Sequence, residues 1–112
     1  MSLENEVRLV GHLGANPELF TTDSGKRILK VSLATNETFK NDKGEKVTQT
    51  EWHNLVMFGA RAAVVAQYLN KGSHLAVDGK LKTRKYVDKA GIEKYVTEII
   101  VNDALFLDKQ TS

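Results

Sequence analysis

Aromatic residues in this chain lie near basic ones at four places: Phe39 next to Lys40, Trp52 and Phe58 within TEWHNLVMFG, and Tyr86 at the end of KLKTRKY. A flat ring can take another flat group against its face, and stacking a nucleobase on an aromatic side chain contributes about 1–3 kcal/mol with little regard to base identity. Lysine and arginine close by neutralise phosphate and release its counterions. Rings interleaved with cations therefore suit a ligand that is both flat and polyanionic. Each ring also has a plainer reading. Tryptophan is highly buried on average, so Trp52 taken alone reads as a core residue, and one exposed tyrosine is unremarkable on any surface.

The elements that must hold these residues are strands. From Val7 to Leu13 apolar residues fall at Val7, Leu9 and Leu13, with Gly11 between them, which reads as a strand with room for a bend. GANPE is loop chemistry, and TTDSGKR (residues 21–27) is a turn, which places a hairpin between about Glu18 and Phe39. Leu29, Val31 and Leu33 alternate in the second strand, KNDKGEK makes an exposed hairpin loop, and a third strand runs from about Val47 to Phe58. In ARAAVVAQYLNKG the residues Ala62, Val65, Ala66 and Leu69 mark one face of a helix, with Lys71 and Gly72 as its expected stop. A fourth strand covers His74 to Val87, DKAG turns the chain, and a fifth strand runs from Ile92 to about Leu107.

Period-2 alternation sorts the candidate residues by face. In the fourth strand Leu75, Val77, Gly79 and Leu81 form the expected core face, while Lys80, Lys82, Arg84 and Tyr86 share the other. In the third strand His53, Leu55 and Met57 alternate with Trp52, Asn54, Val56 and Phe58. If the first set looks inward, Trp52 and Phe58 lie outside, roughly 20 Å apart along the strand. The order β-β-β-α-β-β, with long glycine-containing strands, suits an all-β fold: an OB-fold, a five-stranded Greek-key barrel with one helix between its third and fourth strands.

Composition limits the function classes. The length of 112 residues fits one domain, and 41% apolar with 27% charged residues is ordinary for a globular protein. There is no cysteine, which excludes disulfides and thiolate chemistry. No stretch approaches the ~18 apolar residues of a membrane span, and the N-terminus lacks a signal-peptide pattern. A cytoplasmic protein with no membrane partner is expected. Net charge is only +2, but residues 71–94 carry seven basic side chains against three acidic ones, so this segment is +4 and the remainder is −2. An uneven charge of this kind fits a polyanion partner, although a solvated strand face fits it as well. His12, His53 and His74 are scattered without metal-ligand spacing, and neither a GxSxG serine nor a phosphate loop is present. No enzyme activity, metal or cofactor is expected.

The stretches NEVRLVGHLGANPE, SLATNETF, QTEWHNLVMFGARAAVVAQYLNKGSHLAVDGKLKTRKYVDKAG and YVTEIIVND carry a family resemblance. Over nearly its whole length the chain resembles bacterial single-stranded DNA-binding proteins of the SSB type. That resemblance implies an OB-fold assembled as a homotetramer, with a dimer left open, at the bacterial nucleoid. It implies sequence-independent binding and protection of single-stranded DNA in replication, recombination and repair. The family's stacking positions fall on Phe39, Trp52, Phe58 and Tyr86. Basic positions for phosphate fall on Lys82, Arg84 and Lys85, with Arg8 a weaker match, and Lys80 joins them through the face it shares.

This chain departs from the pattern in places. Phe39 and Tyr86 stand where the best-known members have tryptophan, which predicts less stacking area. Asn54 replaces a usual arginine and Ala60 a usual lysine, which predicts lower affinity or a weaker salt dependence. The expected domain is 1–107, followed by a short remnant, 108–112, without the family's acidic tail, so recruitment of repair enzymes by a tail is not expected. An OB module for RNA or for protein contacts, of the replication-restart type, is the alternative that fold alone leaves open.

Overall fold

The computed structural model describes residues 4–107, so the remnant expected at 108–112 lies outside the described residues. In chain order the elements are β1 (Val7–Leu13), β2 (Glu18–Thr21), β3 (Arg27–Lys40), β4 (Lys46–Phe58), α1 (Gly59–Tyr68), β5 (His74–Val87) and β6 (Glu93–Phe106). The sheet runs β1-β5-β6-β4-β3-β2, and a further pairing of β1 with β3 closes it. Five strands thus make the barrel, while β2 hangs on the outer edge of β3. This is the OB-fold expected, with one short strand added. ELFT was expected only as the flank of a hairpin, so the helix follows the fourth strand rather than the third.

Alternation builds the interior. Leu29, Val31 and Leu33 of β3, Leu55 and Met57 of β4, Leu75 and Val77 of β5, and Ile99 and Val101 of β6 are all buried. Each fully buried side chain of this kind contributes about 1.5–3 kcal/mol relative to exposure. Ala62 and Val65 of α1, with Leu69 just beyond it, join the same core.

Three expectations fail locally, each for a visible reason. Leu81 is 49% exposed rather than buried. The pairing of β1 with β5 ends at Val7↔Gly79, so no strand continues on the β1 side of Leu81, and the Asn5 side chain takes its backbone N–H and C=O instead. Val56, on the outer face of β4, is buried because Lys30 and Ile100 lie directly opposite it on the two neighbouring strands. The helix also stops early. Leu69 is already extended, because the Lys71 N–H donates to Asn16 Oδ1 and the Gly72 N–H to the Leu13 carbonyl, both at 2.8 Å.

Two hairpins outrun the barrel as arms. The first stays paired from Ile28↔Phe58 to Lys40↔Lys46, the second from Leu75↔Phe106 to Val87↔Glu93. Both arms end in the same turn. Asn41 Oδ1 accepts from the N–H groups of Lys43 and Glu45, and Asp88 Oδ1 accepts from those of Ala90 and Ile92, at 2.9–3.0 Å. Gly44 (φ 77°) and Gly91 (φ 80°) supply the left-handed residue each turn requires.

Candidate nucleic-acid interface

Residues opposite each other in a ladder point to the same side, so the registers define one continuous outer surface. Ala34 and Trp52 form one row of it, Ser32 and Asn54 the next, then Lys30, Val56, Ile100 and Lys80, and finally Ile28 and Phe58. On the β5–β6 side, Lys82 opposite Glu98, Arg84 opposite Val96 and Tyr86 opposite Lys94 continue the same surface. Trp52, Phe58, Lys80, Lys82, Arg84 and Tyr86 therefore share a single face.

Trp52 is 62% exposed, an unusual state for the chain's only tryptophan. The small Ala34 lies directly opposite it, and a Cβ at Gly14 would sit 2.3 Å from the indole Cζ3. The ring thus rests against bare backbone on one side while its other side meets solvent. Phe58 closes β4 immediately before α1, and the Lys26 ammonium lies 4.7 Å from its ring centroid. Between the two rings runs an open groove of about 420 Å³, bordered by Asn16, Lys30, Ser32, Asn54 and Glu98.

The cations of this face are not equivalent. Arg84 is bound to the nearly buried Glu98 carboxylate at 2.8 Å and lies 5.8 Å from the centroid of Tyr86. The hydrogen bond to Glu98, with the charge attraction behind it, raises the Arg84 pKa above its ordinary value. Lys80 and Lys82 have no ion-pair partner among the described residues.

Three of the expected residues lie apart from the rest. Phe39 pairs with Val47 near the tip of the β3–β4 arm, so alternation turns it to the side opposite Trp52. Lys85 lies on the reverse of the β5–β6 arm from Arg84, paired to Glu93 at 2.9 Å. Arg8 is on β1 opposite Asp78, bonded to Glu6 at 2.9 Å, at the border of an apolar patch of Val10, Ala76 and Leu105. Lys26, set over Phe58, was not expected. The turn TTDSGKR gave no sign of it, because only the β3–β4 register brings the residue beside Arg27 to the end of β4.

Comparison with known proteins agrees with this geometry. The model of the Single-strand binding protein family matches residues 4–107. Among solved structures, the chain is similar to that titled "Plasmodium falciparum SSB complex with ssDNA". The two share 34% sequence identity and a TM-score of 0.83, over 96% of this chain and 97% of that one.

Proposed function

The chain belongs to the single-strand binding protein family, and we propose that it binds and protects single-stranded DNA without sequence preference, in replication, recombination and repair. The observation that carries this reading is the exposed indole of Trp52, backed by Gly14 and set on the same face as Phe58, Lys80 and Lys82. Bases stack on Trp52 and Phe58, and on Tyr86 further along the face, while Lys80 and Lys82 meet the phosphates. Arg84, held by Glu98, supports Tyr86 and offers only part of its fork to the strand. Phe39, Lys85 and Arg8 take part where the strand wraps past the arms and around the barrel. The role is binding alone, without catalysis.

The proposed assembly is a homotetramer. Its support is the apolar patch on the outside of β1, β5 and β6, where Val10 is 56% and Leu105 65% exposed, at a barrel edge where β3 pairs only with the end of β1. Exposed strand edges of this kind invite pairing with another chain. The proposed compartment is the cytoplasm, at the nucleoid, where a DNA ligand would be met; among the described residues no helix is long and apolar enough to cross a membrane.

Titration with oligo(dT), a matched RNA and a duplex, followed through Trp52 fluorescence, tests the function. Strong quenching by oligo(dT), weaker affinity for duplex and a steep loss with salt are expected. Equal binding of duplex, with no quenching, would overturn the proposal, and tighter binding of RNA would redirect it. Sedimentation equilibrium tests the assembly, with a monomer at micromolar concentration as the contrary result.

A further inference from the structure

We propose that Phe20, with Lys26 and Lys30, forms an additional contact for single-stranded DNA, one stacking position beyond Phe58; this rests on the function proposed above. Phe20 pairs with Ile28 across β2 and β3, and Ile28 pairs with Phe58 across β3 and β4. The three side chains therefore form one row on the same outer surface. Neighbouring strands lie about 4.7–4.9 Å apart, which places Phe20 roughly 10 Å from Phe58. Its ring is half exposed, and beside it lies an open hollow of about 340 Å³ lined by Phe20, Ile28 and Lys30.

The charge around this row matches a phosphate chain. Lys26 stands over Phe58 in a second hollow, of about 470 Å³, that also includes Arg27. Lys30 borders both the hollow beside Phe20 and the groove that leads toward Trp52. None of Lys26, Arg27 and Lys30 has an ion-pair partner among the described residues. An exposed ring between unpaired cations, continuous with Phe58 and the groove, is the chemistry that recognises a base with its phosphate. The short β2 thereby acquires a role. It adds nothing to the closed barrel, but it holds Phe20 level with Phe58 and extends the binding face by one strand.

The test compares oligo(dT) binding by wild type, Trp52→Ala, Phe20→Ala, Phe20→Tyr and the double variant Lys26→Gln/Lys30→Gln. Affinity is read by a labelled oligonucleotide, and folding and assembly by thermal melting and sedimentation. Phe20→Ala should bind about tenfold more weakly, as loss of one stacked base requires, and Phe20→Tyr should keep wild-type affinity. The double lysine variant should reduce the slope of log K against log salt by about 1.4, from two lost phosphate contacts. Wild-type affinity in Phe20→Ala, with Trp52→Ala weakened as expected, would overturn this inference alone. A change of sedimentation in the correctly folded Phe20→Ala would also overturn it, by assigning the row to a contact between copies. Absence of binding by wild type would remove the proposed function and this inference together.

Discussion

The two arms are built to one plan and finished with different chemistry. Along β3–β4, the cross-strand side-chain hydrogen bonds involve no carboxylate, lysine or arginine: Thr35 to His53 at 2.9 Å, Thr50 to Asn36 at 2.6 Å, and Thr38 to Thr48 at 3.4 Å. Along β5–β6, one neutral pair, Thr83 to Thr97, sits among ion pairs of Arg84 with Glu98, Lys85 with Glu93, and Lys94 with Asp88. The basic segment that gave the sequence its charge asymmetry is thus partly spent on its own hairpin. A polyanion gains most from cations that are not already compensated, since each new phosphate contact releases a counterion. In the proposed binding mode, stacking belongs mainly to the face of β4, and salt dependence to Lys80 and Lys82 at the base of the second arm.

The largest effect that would break this comparison lies on β4. Trp52→Ala should lose about 1–3 kcal/mol of oligo(dT) affinity, measured by anisotropy, with the melting temperature nearly unchanged because the ring is exposed. Gly14→Ala should approach the same loss, because its methyl would displace both the indole and the Ser32 hydroxyl. Fluorescence of Trp52 in the free protein should shift with it.

Charge substitutions on the second arm are smaller and separate its two kinds of cation. Lys82→Ala should flatten the salt slope by about 0.7, the value for one lost contact to a single strand. Arg84→Ala should flatten it less, since Glu98 already compensates that guanidinium. Glu98→Gln should steepen the slope by up to about 0.7 by releasing Arg84 to a phosphate. Equal slopes for all three variants would show that internal pairing does not govern the cations.

The smallest effect separates the two arm tips. The backbone N–H of Ile92, then the Lys94 ammonium, hold the Asp88 carboxyl below its ordinary value of 3.8. A carboxyl lowered in this way stabilises the fold fully above its unfolded value, and that contribution fades as pH falls through the lower folded value. Below 3.8 the amides of Ala90 and Ile92 should therefore lose hydrogen-exchange protection. Those of Lys43 and Glu45, held by the Asn41 amide in the same turn, should keep theirs. Asp88→Asn should make the two tips alike.

The barrel was legible because its interior imposes period 2. Leu29, Val31 and Leu33 could be read directly, whereas the strand of Leu55 and Met57 offered two faces, and the outward direction of Trp52 and Phe58 hung on which of them met the core. Legibility failed where burial is not set by alternation within one strand. Val56 is covered by neighbours whose register lies outside its own sequence, and Leu81 alternates correctly but lies beyond the strand that would cover it. Phe20 escaped notice because all four residues of β2 are exposed and leave no apolar pattern. Its place beside Phe58 depends on two successive registers. Lys30 and Lys26, which line the same hollows as Asn54 and Ala60, could not be placed beside those two positions from the sequence.

The most direct test uses the one indole as its own probe. Acrylamide quenching of Trp52 should be efficient in the free protein, as a ring 62% exposed requires, and should fall sharply at saturating oligo(dT), because a stacked base covers the open side of the ring. Undiminished quenching in a protein fully bound by an independent measurement would mean that the strand passes elsewhere, and would contradict the account at its centre.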